Sequence, residues 1–110
     1  MITCTLRYEI DPAQLEAFEV YGKACIHLVE KLGGTHHGYH LPHEGPNDIA
    51  YAHFSFPSLA DYEIYREKMK ADPDCIRAFD HAKRTNCIRR FDRSFTKPVL
   101  TGATVDELGL

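Results

Sequence analysis

Apolar and polar residues alternate from the first residues of the chain. Ile2, Cys4, Leu6 and Tyr8 fall on one parity and Thr3, Thr5, Arg7 and Glu9 on the other, the period-two pattern of a half-buried strand. At Asp11-Pro12 the period changes. Asp is a good N-cap and Pro a good first helical residue, and Leu15, Phe18, Cys25, Val29 and Leu32 then recur at helical spacing. Gly22 interrupts that stripe in a way that allows close approach of helix and sheet, and Gly33-Gly34 ends the helix. Two further strands follow as a hairpin, 34–42 and 49–56, around the turn residues Glu44–Asp48. Ser58 with Asp61 forms a capping box before Leu59, Tyr62, Tyr65, Arg66 and Met69. Asp72-Pro73 starts a shorter helix expected to reach Ala82, and a last strand spans 88–96.

The order is β-α-β-β-α-β. Helices segregated on one face of an antiparallel sheet make this an α+β, ferredoxin-like sandwich. With 110 residues there is room for one core, so residues 1–97 form the domain. Residues 98–110 form a tail that is loose or packs on a partner subunit.

Parity along the strands sorts the side chains. A hairpin pairing Leu41 with Ala50, Tyr39 with Ala52 and His37 with Phe54 puts Ala50, Ala52, Phe54 and Phe56 toward the helices. Ile2, Cys4, Leu6, Tyr8, Phe91 and Phe95 share that face. The opposite face then collects Thr3, Thr5, Arg7, Glu9, His36, His40, Ile49, Tyr51, His53, Ser55, Arg90, Asp92 and Ser94. Tyr and His favour interfaces over full exposure, so this polar face is expected to meet a partner's sheet and enclose a cavity.

Composition narrows the partners. A net charge of −3 argues against nucleic acid, whose phosphates call for a basic excess. No apolar run approaches the roughly 20 residues of a membrane span, and the N-terminus lacks the pattern of a signal peptide, so a cytoplasmic protein is expected. Four scattered cysteines, Cys4, Cys25, Cys75 and Cys87, form no C-x-x-C pair and read as free thiols.

The opening strand and long helix, the Gly33-Gly-Thr35 start of strand two, the Ile49-Ala-Tyr-Ala-His53 strand and the run Asp61-Tyr-Glu-Ile-Tyr-Arg-Glu-Lys-Met-Lys-Ala-Asp-Pro73 are similar to the NIPSNAP family, within the dimeric α+β barrel superfamily. The resemblance covers residues 2–97. It implies a homodimer whose sheets face each other as a barrel. The superfamily includes cofactor-free monooxygenases, isomerases, haem enzymes and proteins of unknown activity.

Seven histidines are present and five fall between His36 and His53, which makes a metal the first chemistry to weigh. His36 and His40 would stand about 13 Å apart along one strand, too far for one ion. His40 with His53 supplies only two ligands where zinc wants three or four. No metal is therefore expected, and with no G-x-G-x-x-G or phosphate loop in the chain no cofactor is expected either. The alternative is a small-molecule enzyme of monooxygenase or isomerase type, with His53, His40 and Tyr51 as acid–base and oxyanion-stabilising groups and Arg7, Arg90 and His36 binding the substrate. A dimeric binding or scaffolding module with no catalysis is the other reading.

Overall fold

A computed structural model describes residues 1–110. Four strands, β1 (Ile2–Ile10), β2 (Thr35–His40), β3 (Ile49–Phe56) and β4 (Ile88–Thr96), form one sheet in the order β2-β3-β1-β4. Each adjacent pair is antiparallel. Helices α1 (Leu15–Lys31), α2 (Leu59–Ala71) and α3 (Pro73–Thr85) complete the βαββαβ order expected for the α+β, ferredoxin-like class.

The local signals account for most boundaries. Asp11 caps as expected, its carboxylate accepting from Ala13 N at 3.0 Å, but it caps a single 3-10 turn, Pro12–Gln14, and the α-helix starts at Leu15. Ser58 Oγ accepts from Asp61 N at 3.2 Å and donates to Asp61 Oδ2 at 2.7 Å. Asp72 ends α2 and caps α3, its Oδ1 accepting from Asp74 N and Cys75 N at 2.9 and 3.0 Å. Lys31, at the end of α1, clamps that joint by donating to Asp72 Oδ2 at 2.9 Å. α3 runs to Thr85, one turn beyond expectation, and stops at Asn86, whose left-handed φ of 52° suits Asn.

The core lies between the sheet and the helices. Cys4, Tyr8, Ile10, Ala50, Ala52 and Phe56 from the central strands pack with Phe18, Val29 and Cys75 from the helices. Gly22 has the role its place in the stripe suggests: a methyl group there would stand 3.1 Å from Tyr39 Cγ, so α1 rests its backbone on that ring. β4 is the least covered strand, with Phe91 and Phe95 on its helix side still 48% and 40% exposed. No helix is long and apolar enough to cross a membrane. Residues 97–110 lie outside the sheet and helices and, apart from Pro98, are exposed.

One expected register is corrected. Tyr39 pairs with Ala52 as anticipated, but His36, and not His37, pairs with Phe54. The strand carries an extra residue between His36 and Tyr39, and Gly38 sits there with φ +102°. Such a bulge shifts side-chain parity by one. His36 is thereby turned to the helix side and His37 to the polar side, the reverse of the simple alternation.

Candidate functional site

Two groups of chemically capable side chains occupy opposite faces of the sheet. On the helix side, the packing leaves a cavity of about 560 Å³. Its floor is Leu6 and Tyr8 of β1, Phe54 of β3 and His36 and Tyr39 of β2. α1 contributes Tyr21, Cys25, Leu28 and Val29, spaced at three and four residues along one helical face. α2 contributes Tyr62, Tyr65 and Met69, and α3 contributes Cys75, Phe79 and Ala82. Lys83, Asn86, Phe91 and Arg93, all exposed, form the mouth beside β4.

The walls are apolar, but they carry hydroxyl, thiol and imidazole groups. Five of the six tyrosines line the cavity. Tyr8 and Tyr39 share a hydrogen bond between their hydroxyls at 3.3 Å. Tyr8 stacks edge-on against Phe18 with centroids 5.0 Å apart. Burial pushes the phenols of Tyr8, Tyr21, Tyr39 and Tyr65 well above their ordinary range, so all remain protonated donors near neutrality. Cys25 lies beside Tyr21 and Tyr39, and burial raises its thiol too.

His36 is the most unusual group here. Its ring is stacked on Tyr39 at 5.2 Å and 10° and on Phe54 at 5.5 Å and 22°. Nδ1 accepts the Gly38 N–H at 2.8 Å, which puts the ring proton of the neutral form on Nε2. Nε2 is closed to solvent and has no hydrogen-bond partner. Burial, then the charges of His37 and His53, lower the imidazole to about 4, so it is a neutral donor at physiological pH. The glycine that bends the strand also orients the imidazole.

The other face holds the rest of the expected site. Thr5 Oγ1 and His53 Nδ1 are 3.0 Å apart. His40 lies edge-on to His53 with centroids at 5.5 Å, and Tyr51 lies parallel to it at 6.3 Å. His40, Tyr51 and His53 are therefore together, as their strand positions suggest. Beside them, Ser55 Oγ bonds both Thr3 Oγ1 and His37 Nε2 at 2.7 Å. Burial, followed by the charges of His40 and His37, lowers the His53 imidazole. Arg7 lies 3.8 Å from Glu9 and 4.0 Å from Asp92, and Arg90 pairs with Asp92 at 3.0 Å and Glu9 at 3.8 Å. Both arginines thus belong to an ion-pair network across β1 and β4. None of these residues lines the cavity, and His36, expected among them, is on the far side of the sheet. No three His, Cys, Asp or Glu side chains are placed to hold a metal ion.

Strand parity puts Tyr8 and Tyr39 on the apolar face, opposite the expected site residues. Two signals in the chain bear on the cavity: an isolated glycine inside a strand, which marks a bulge, and tyrosines on the apolar sides of strands (Tyr8, Tyr39) and helices (Tyr21, Tyr62, Tyr65), each needing a partner for its hydroxyl.

A family model described as NIPSNAP matches residues 5–101. No curated protein matches the chain in sequence. Among solved structures, the chain is similar to a NIPSNAP family protein of unknown function from Agrobacterium tumefaciens, with TM-score 0.78, 20% identity, and 89% of this chain and 87% of that chain covered. It is similar to an uncharacterised NIPSNAP domain protein from Burkholderia xenovorans, with TM-score 0.73, 14% identity and coverage of 94% and 100%. A candidate antibiotic biosynthesis monooxygenase from Nitrosomonas europaea shares the fold at TM-score 0.69 with 8% identity, covering 91% and 100%.

Proposed function

Because this chain belongs to the NIPSNAP family, a family in which fold alone names no reaction, we propose its function from the cavity: it binds a small organic molecule between the sheet and the helices. The observation that carries the proposal is the 560 Å³ space among aromatic walls, a size typical of small-molecule sites.

The lining limits the chemistry. Neutral phenols in the lining stabilise negative charge that develops on a ligand oxygen. A proton acceptor is lacking: no carboxylate lines the cavity, and His36 is a weak base. Reactions that begin with an already acidic substrate, such as cofactor-independent oxygenation or isomerisation through an enolate, are within reach. Reactions that need a strong enzymic base are not. The same lack of a base favours, as the second reading, a binding module without turnover.

His40, Tyr51, His53, Arg7 and Arg90 take a different role in this proposal. They form the sheet face on which a second copy docks, giving a homodimer. Two features support a partner. The exposed tail carries Val99, Leu100, Val105, Leu108 and Leu110. The radius of gyration, 16.0 Å, exceeds the roughly 13 Å of a compact chain this long. Four free thiols fit a reducing compartment, the cytoplasm.

Thermal-shift measurements with small aromatic and oxo acids test the cavity, because a ligand stabilises the state that binds it. Stabilisation by members of the panel, lost in Cys25→Phe and kept in His53→Ala, is the expected result. Ligand shifts that vanish in His53→Ala and survive Cys25→Phe would move the site to the other face. Sedimentation velocity reports the dimer, and a monomer at micromolar concentration would sink that part.

A further inference from the structure

The charge at the mouth of the cavity is one-sided. Arg93 and Lys83 line it, and no acid does. Other arginines of the sheet and its flanks are neutralised: Arg7, Arg89 and Arg90 all have carboxylates within 4.0 Å, whereas Arg93 and Lys83 have none. Arg93 also occupies an odd position. It pairs with Leu6 in the sheet and shares the helix-side parity of Phe91 and Phe95, where β4 would otherwise be apolar. Its guanidinium lies over the Phe91 ring at 5.5 Å. A guanidinium stacked on an aromatic face keeps its edge N–H groups free for a planar anion.

Deeper in, the chemistry changes. The interior offers aromatic faces and neutral donors but no cation, so a charged head is served at the mouth and an uncharged body within. From β4 to β2 the sheet spans three strand spacings, about 14 Å, enough for two or three rings or a chain of comparable length. A cationic ligand would meet Arg93 and Lys83 with no acid to offset them.

We propose that the cavity selects an apolar monoanion, its hydrocarbon body among the tyrosines and its planar oxygen-acid head, a carboxylate or an enolate, held by Arg93 and Lys83. This rests on the cavity being the ligand site and adds the chemical class of the ligand. A carboxylate satisfies the guanidinium through two parallel N–H···O bonds. An enolate with a neighbouring carbonyl oxygen can be held the same way and arrives without needing a base, which matches the lack of one in the lining.

Calorimetric titration of the full chain with biphenyl-4-carboxylate and with its methyl ester tests the inference. A second pair, 2-hydroxy-1,4-naphthoquinone and its methyl ether, tests the enolate head. We expect at least one anion to bind tenfold or more tightly than its neutral partner. The pair showing the preference identifies the head. In the double variant Arg93→Met, Lys83→Met the preference should vanish while the neutral probe binds as before. A neutral probe that binds as tightly as its anion in both pairs overturns the inference even if the variant fails to fold, as does a preference that survives the double substitution. Binding by none of the four probes overturns the cavity reading itself, and this inference with it.

Discussion

The two faces of the sheet are built from similar residues and behave differently. Both carry tyrosine, histidine and arginine. On the outer face Tyr51, His40 and His53 sit beside cross-strand ion pairs and are partly exposed. On the inner face Tyr8, Tyr39 and His36 are held among rings, and burial fixes them in their neutral forms. Residue type alone therefore does not locate chemistry. The surroundings decide whether a histidine is a titrating surface group or a fixed donor.

The sharpest contrast is between neighbours on β3. Phe54 is 5% exposed and touches the rings of His36, Phe56 and Tyr65. Phe54→Ala should cost about 3–5 kcal/mol in urea unfolding. His53→Ala, one residue away on the other face, should cost less than about 1 kcal/mol. Equal losses would mean that the outer face is as deeply packed as the inner one.

The division between the faces depends on the bulge. Gly38 has open space around it, so Gly38→Ala meets no clash and its cost comes from backbone conformation alone. At φ +102° that cost should be about 1–3 kcal/mol. A neutral substitution would show that the bulge relaxes and that His36 is not pinned to the inner face.

Acid should separate the two histidines next. In the folded chain His36 titrates at about 4, below its ordinary 6.5. Between these values the unfolded chain binds a proton that the folded chain refuses, so stability falls as pH drops through that window and is unaffected by this group above it. His53, also lowered, acts in the same direction. Urea midpoints at pH 7 and pH 4.5 should converge most in His36→Phe and less in His53→Gln. The reverse order would place the stronger burial on the outer face. The smallest effect belongs to Arg7, whose ion pairs are 3.8 and 4.0 Å long and half exposed. Arg7→Met should change stability by less than about 0.5 kcal/mol.

Much of this architecture was legible in the chain. Period-two alternation gave β1, and Asp11, Ser58 and Asp72 marked element starts, because these signals are local. The hairpin was legible only up to Gly38. Parity carries along a strand until an extra residue resets it, and the His36/His37 assignment failed at that point. The outer group was found because His40, Tyr51 and His53 lie on adjacent strands in simple register. The cavity was not, because empty volume depends on how far α1, α2 and α3 stand off the sheet. Gly22 hinted that α1 approaches the sheet closely, but how α2 and α3 sit over it is a long-range fact.

Gly38 has one more consequence, at the border of the sheet. β2 is an edge strand, and its unpaired backbone groups could template pairing with another chain, the route to aggregation. The irregularity interrupts that border after Thr35 and His36, so no long straight stretch is offered to an incoming strand. β4, the opposite border, is regular over most of its nine residues but carries Arg89, Arg90, Asp92 and Arg93. One border is guarded by shape and the other by charge, so Gly38 helps to keep neighbouring molecules from zipping together along this sheet.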